Sequence, residues 1–147
     1  MSQNRIIYTT DFSPASQAAL PWVRKLSDVL EAEVHCVTAV QDPATYAPMI
    51  GAGPVTFPSL QQIKADAETQ LKGFVKAHLS GLAKPPVITT LTGRAADEIV
   101  AYANGIGATM IVMATHGRSG LAHIVIGSTT EEVVRTAKCP VLSVRAS

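Results

Sequence analysis

The segment from Met113 to Glu131 holds the residues whose types and spacing could do chemistry. It reads MATHGRSGLAHIVIGSTTE: an apolar run, three glycines, then the start of a helix at Gly127-Ser128. Glycine lets backbone amides approach a ligand, and a helix N-terminus offers unpaired N–H groups and a positive dipole end. Such a segment suits phosphate binding. A capping box with Ser128 as N-cap and Glu131 reaching back explains the same residues, so the pattern alone leaves both interpretations open.

Three other kinds of site are excluded by spacing. No Gly-x-x-x-x-Gly-Lys-Ser/Thr sequence occurs, which excludes a P-loop NTPase. The segment 117–120, GRSG, lacks the Gly-x-Ser-x-Gly spacing of a serine hydrolase. His35, His78 and His123 are too far apart for a zinc site. No general base and no acidic cluster beyond Asp11 stands out, so we expect no dedicated enzyme and at most slow hydrolysis.

Composition indicates one globular domain over residues 1–147. Hydrophobic residues make up 47% and charged residues 16%, so a core can form. A net charge of +1 argues against a nucleic-acid partner, which needs clustered Lys and Arg. No apolar run approaches the roughly 20 residues that span a bilayer, and no signal peptide is visible. Cys36 and Cys139 show no metal or redox spacing, so we expect a cytoplasmic protein without membrane association.

Strand-like and helix-like apolar patterns alternate along the chain. Since parallel strands need crossover connections, this order predicts an α/β fold: an open five-stranded parallel sheet with helices on both faces, of the Rossmann-like class. The Pro- and Gly-rich segment from Gln41 to Pro58 has no period and is predicted to be a lid, a binding loop or disordered. The predicted strands are Ile6–Tyr8, Val34–Val40, Val87–Leu91, Met110–Ala114 and Val141–Val144, and the predicted helices cover about 14–31, 59–79, 93–107 and the residues after Gly127.

Ligands of such sheets bind beyond the carboxyl ends of the strands, where the strand order reverses. This rule selects three places in the chain: Thr10-Asp11, Val40-Gln41-Asp42, and the segment from Ala114 to Ser128.

The chain resembles a universal stress protein of the nucleotide-binding type along nearly its whole length. Tyr8–Ser13 resembles the family's first strand and loop, and Cys139–Val144 resembles its last strand. The family's phosphate-binding pattern is a glycine, two residues, a glycine, nine residues, then Gly-Ser or Gly-Thr. Gly117 and Gly127-Ser128 match it, whereas Ala114 stands in place of the first glycine.

The resemblance implies an adenine nucleotide ligand, ATP, in the cleft between the first and fourth strands of an adenine nucleotide alpha hydrolase-like fold. Any Mg²⁺ would be held mainly by the phosphates. Carried over by position, it assigns Asp11 to the ribose or adenine end, the backbone of Ala39 and Val40 to adenine, Met113, Ala114, His116 and Gly117 to the ribose and first phosphates, and Gly127, Ser128 and Thr129 to the outer phosphates.

Ala114 is the departure from the family pattern. If the ligand required a left-handed backbone there, alanine would cost about 1–2 kcal/mol, or about tenfold in affinity. An extended backbone tolerates alanine, and Ala114 ends a predicted strand, so we expect tolerance.

The resemblance also implies a homodimer through the final strand, Val141–Val144, since an exposed sheet edge invites pairing. One alternative function stays open because of Ala114: a stress protein that binds no nucleotide and acts through an unknown protein partner. A phosphotransferase has the least support, since no catalytic constellation appears.

Overall fold

The computed structural model describes residues 3–45, 57–116 and 126–146. Within them the strands form one sheet in which every pairing is parallel, as predicted. Each strand is separated from the next by a helical crossover, which parallel pairing requires. The strands are β1 (Arg5–Thr9), β2 (Glu33–Val40), β3 (Val87–Thr92), β4 (Met110–Ala114) and β5 (Val141–Val144).

Helices cover both faces of the sheet, and α2, α3 and α4 begin at or near their predicted positions. None of the helices in the described ranges is both long and apolar enough to cross a bilayer. The α-helices are α1 (Leu20–Val29), α2 (Leu60–His78), α3 (Ala95–Ile106) and α4 (Ser128–Thr136), and two short 3-10 helices cover Pro14–Ala19 and Pro43–Thr45.

The strand order across the sheet is β3-β2-β1-β4-β5, so the order of the parallel strands reverses between β1 and β4. The crossover after β1 leads to one side of β1 and the crossover before β4 leads to the other side, which opens a crevice between the ends of these two strands. The same order places β5 at a sheet edge, as expected. The ends of the segment 41–58 are described, and residues 46–56 lie outside the described residues.

Side-chain alternation on the central strand β1 builds two hydrophobic layers. Ile6 and Tyr8 point to one face and pack with α1 and α2, including Phe74. Ile7 points to the other face and packs with α3 and α4, including Val133. The crevice therefore lies at the carboxyl end of a strand whose three central residues are fully buried.

The first predicted helix, about residues 14 to 31, is wrong as one continuous helix. The structure has the 3-10 helix followed by α1, and the N–H of Leu20 donates to Gln17 in the tighter 3-10 pattern. Pro21 follows, and its ring nitrogen has no hydrogen to donate to the previous turn. Ser13 caps the 3-10 helix through its side chain, which accepts from the Ser16 amide.

Candidate functional site

A cavity of about 600 Å³ lies at the carboxyl ends of β1, β2 and β4. Its volume is in the range of small-ligand pockets, and it stands at the strand-order reversal. Gly117, the eleventh predicted site residue, lies outside the described residues. The other ten predicted site residues all line the cavity: Thr10, Asp11, Ala39, Val40, Met113, Ala114, His116, Gly127, Ser128 and Thr129.

The turn after β1 is fixed by a directional chain of hydrogen bonds. The Phe12 amide donates to Thr10 Oγ1 (2.9 Å), and Thr10 Oγ1 lies 2.8 Å from Ser16 Oγ. Since the Ser16 hydroxyl donates to the Ser13 carbonyl (2.7 Å), the Thr10 hydroxyl is the donor to Ser16. The Thr10 amide also donates to the Val37 carbonyl (3.0 Å), which ties the turn to β2.

Asp11 is held in this turn through its side chain. Its Oδ1 accepts the Ser13 amide (3.0 Å) and the Ser13 hydroxyl. This side-chain-to-backbone pattern is an Asx turn, which fixes the carboxylate relative to the chain that follows. The structure therefore presents Asp11 to the cavity in a set orientation.

The end of β4 and the start of α4 are in direct contact. Ala114 is the last residue of β4, and its carbonyl accepts the buried hydroxyl of Thr130 (2.8 Å). The Gly127 amide donates to the Thr115 carbonyl (2.6 Å). His116 Nδ1 lies 3.0 Å from Thr115 Oγ1 at the cavity wall. These bonds set the start of α4 against the end of β4.

Ala114 has the extended backbone of a strand. In the described residues, positive φ outside glycine occurs at Phe12 and Glu31. Ala114 therefore carries no left-handed strain in this structure, as expected from its place at the end of a strand.

The capping box assigned to Ser128 and Glu131 is wrong. The N-cap is Gly127, with φ −72° and ψ 158°, no side chain caps the helix, and Ser128 is the first helical residue. Glu131 lies near Arg135 instead, with a nitrogen–oxygen distance of 3.9 Å. No side chain therefore caps the backbone amides at the start of α4.

Glycine at position 127 is favoured by space, not by its φ. A Cβ there would lie 3.0 Å from the Thr115 carbonyl oxygen, tighter than nine in ten real Cβ contacts. A side chain at this position would require the contact between the start of α4 and the end of β4 to widen by a few tenths of an ångström.

The amides at the start of α4 can bind an anion. The first intrahelical bond of this end runs from the Glu131 amide to the Gly127 carbonyl (2.9 Å). The amides of Ser128, Thr129 and Thr130 precede it and have no acceptor within the helix. Together with the positive dipole end, they offer donors to a phosphate.

The described cavity lining carries two carboxylates, Asp11 and Asp66, one imidazole, His116, and no Lys or Arg. The described ranges also contain no cluster of three side chains that could bind a metal. A phosphate bound here would therefore be neutralised by amides and by whatever cation accompanies it.

Sequence reasoning missed two helical parts of the cavity wall: one face of α2, and Ala95 and Ile99 of α3. Spacing of i, i+3, i+4 and i+7 puts four α2 residues on one side of that helix. This spacing was visible in the sequence, but the two apolar residues of the four are typical of a core face and the two polar ones of a solvent-exposed face. The α2 residues that line the cavity are Ile63, Asp66, Ala67 and Gln70.

Comparison with known proteins gives three kinds of match. The model of the Universal stress protein family matches residues 3–145. The universal stress protein MJ0531 of Methanocaldococcus jannaschii is 31% identical over 147 residues, which covers 96% of this chain and 81% of the relative.

Solved structures share the fold. The structure of the hypothetical protein MJ0577 has a TM-score of 0.80 at 23% identity and covers 100% of this chain and 99% of its own. A universal stress protein in complex with cAMP has a TM-score of 0.69 at 21% identity, with all of both chains covered.

Proposed function

Since the chain belongs to the universal stress protein family, we propose that it is an ATP-binding member that acts by binding the nucleotide, with at most slow hydrolysis. One observation carries the proposal: the ends of β1, β2 and β4 and the first turn of α4 meet in a single cavity of about 600 Å³. The structurally similar universal stress protein solved with cAMP supports an adenine nucleotide as the ligand.

The shape of the cavity supports one orientation of the nucleotide. The outer phosphates accept from the amides of Ser128 and Thr129 at the first turn of α4. β2 lies on the opposite side of β1 from β4, so the adenine lies toward Ala39 and Val40. Asp11, between these ends, accepts a hydrogen bond from the ribose.

The charge of the lining supports a role for Mg²⁺ that comes with the ligand. Two carboxylates and no Lys or Arg face the cavity in the described ranges, so ATP enters more favourably when a cation offsets its charge. The phosphates themselves would hold the ion. The same lining shows no group of metal-ligating side chains that would build a catalytic centre, which supports slow hydrolysis.

Titration calorimetry on nucleotide-stripped protein tests the proposal with Ser128→Asp as the diagnostic variant. Ser128 is exposed at the first position of α4, where a carboxylate stabilises the helix but repels phosphate. We expect wild type to bind MgATP and the variant to bind it on the order of a hundredfold more weakly. Any replacement of Gly127 would be a poorer test, because it moves the helix.

Two controls separate charge from damage. Ser128→Ala removes the hydroxyl alone and should keep most of the affinity, because the amides remain. Gln61→Asp adds the same charge to the first turn of α2, outside the cavity lining, and should leave ATP binding unchanged. No heat and no thermal shift of wild type at millimolar ATP would contradict the proposal and favour the alternative, a protein that acts through a protein partner.

A homodimer in the cytoplasm is the second part of the proposal. β5 is an edge strand, and an unpaired edge offers a row of backbone donors and acceptors to a second copy. Free cysteines at 36 and 139 fit a reducing compartment. Sedimentation at micromolar concentration tests the dimer, and a monomeric mass would contradict it.

A further inference from the structure

Phe12 has a backbone conformation that a bulky residue rarely adopts. Its φ is +67°, and in the described residues the one other non-glycine with positive φ is Glu31, at +49°. Glu31 follows α1, where left-handed residues commonly end helices. Phe12 is instead part of the cavity wall. Strain of this kind persists when the surroundings fix it, and it concentrates at functional sites.

Two direct contacts hold Phe12, and two further contacts hold its ring partner. Its amide donates to Thr10 Oγ1 (2.9 Å). Its ring meets the Phe74 ring edge-on, with centroids 6.0 Å apart and planes at 65°. Phe74 in turn stacks on the fully buried Tyr8, with centroids 6.2 Å apart. The Tyr8 hydroxyl donates to the Ser16 carbonyl (2.8 Å), so the ring stack is tied back to the same turn.

The left-handed step at Phe12 determines where Asp11 points. It reverses the chain within one residue, which brings both the amide and the hydroxyl of Ser13 onto Asp11 Oδ1. With an extended backbone at position 12, the chain would continue away from Asp11 and this clamp would be lost. The orientation of the carboxylate therefore depends on a backbone angle that the aromatic stack maintains.

We infer that Phe12 is a positioning residue for ligand binding: its ring, held by Phe74, keeps the backbone left-handed and so keeps Asp11 aimed into the cavity. The inference rests on the proposed function, because it needs a ligand that Asp11 contacts. Phe74, in α2, does not line the cavity, so it supports the site only through its contact with Phe12.

Alanine and glycine at position 12 separate this role from simple packing. Both remove the ring, but glycine adopts positive φ freely and alanine does not. If Phe12 only fills space, Phe12→Gly should bind ATP no better than Phe12→Ala. If it positions Asp11 through φ, Phe12→Gly should stay within about threefold of wild type, whereas Phe12→Ala should lose about tenfold.

A double-mutant cycle with Asp11→Ala tests whether the effect passes through the carboxylate. In calorimetry with MgATP, the affinity of the double variant D11A/F12A should lie within about twofold of that of D11A alone. Once the Asp11 carboxylate is removed, position 12 has no carboxylate to orient and its substitution costs no further affinity. Phe74→Leu, which removes the support without touching position 12, should weaken binding in wild type and not in D11A. Circular dichroism confirms that each variant is folded.

The matched control is the other left-handed residue. Glu31→Ala and Glu31→Gly change the same backbone property outside the cavity lining and should leave ATP affinity unchanged. Equal affinities for wild type and F12A, full additivity with D11A, or no effect of D11A would each overturn the inference while ATP binding stands. A wild type that binds no ATP would overturn the proposed function and this inference together.

Discussion

The two ends of the sheet use similar polar residues for different purposes. At the amino-terminal end, His35 lies 2.8 Å from Glu33 Oε1 through one ring nitrogen and 2.7 Å from the Tyr102 hydroxyl through the other. Tyr102 also lies 3.1 Å from Thr89 Oγ1, and Arg5 donates to the Ile106 carbonyl (2.9 Å). These groups satisfy one another.

At the carboxyl-terminal end, Thr10, Asp11, Ser13 and Ser16 are also linked to one another, but they surround a cavity of about 600 Å³. The difference teaches that a buried polar network is not itself a sign of a binding site. What distinguishes the carboxyl end is the space left by the strand reversal, together with helix-end amides that point into it.

The largest effect we expect outside the cavity comes from His35→Ala at the amino-terminal end. His35 is 6% exposed, and its loss leaves the Tyr102 hydroxyl and Glu33 short of a partner and opens a gap. Such a loss costs about 2–4 kcal/mol of unfolding free energy, measured by urea denaturation. ATP affinity should stay within about twofold of wild type, since the network is remote from the cavity lining. A large loss of affinity would break the comparison.

Thr130→Val sharpens the comparison at the carboxyl-terminal end, with a smaller expected effect. The near-isosteric change removes the bond to the Ala114 carbonyl that sets α4 against β4. We expect a loss of about 1 kcal/mol of stability and a roughly threefold to tenfold loss of ATP affinity, because the α4 amides shift. Thr136→Val is the matched control: it removes a bond to the Glu132 carbonyl (2.7 Å) at the other end of the same helix. Equal ATP affinities for the two variants would contradict the role of Thr130.

The sequence predicted the fold because every strand carries its own apolar run and every crossover its own helix period. It also predicted the first, second and fourth strand ends as the site, since the carboxyl-end rule needs only the strand order. The left-handed step at Phe12 was beyond prediction, because it depends on a ring in α2 more than 60 residues away. The capping box failed for a related reason: the Gly127 amide bonds the Thr115 carbonyl, twelve residues earlier in the chain, and the local pattern around Ser128 does not contain this contact.

The smallest effect we expect is the pH dependence of the contact between α3 and α4. Arg94, the N-cap of α3, pairs with Glu132 in α4, and the guanidinium holds the pKa of that carboxyl below its usual range. A carboxyl whose pKa is lowered on folding adds stability above its unfolded pKa and loses it as the pH falls through the folded pKa. Because the pair is exposed to solvent, its contribution is small and salt-sensitive.

Glu132→Gln should therefore lower the melting temperature slightly at neutral pH and converge with wild type in acid, below the folded pKa of Glu132. Glu131→Gln is the control, since Glu131 has a looser contact with Arg135 on the same helix. Differential scanning calorimetry at low and high salt provides the measurement. Glu132 lies in α4, whose first turn lines the cavity. If the difference in ATP affinity between E132Q and wild type changed with pH, the cavity would respond to a surface ion pair. We expect no such response of ATP affinity to the network around His35. A constant difference between E132Q and wild type at every pH would instead assign Glu132 a packing role and leave the carboxyl-terminal end as insulated from surface charge as the amino-terminal end.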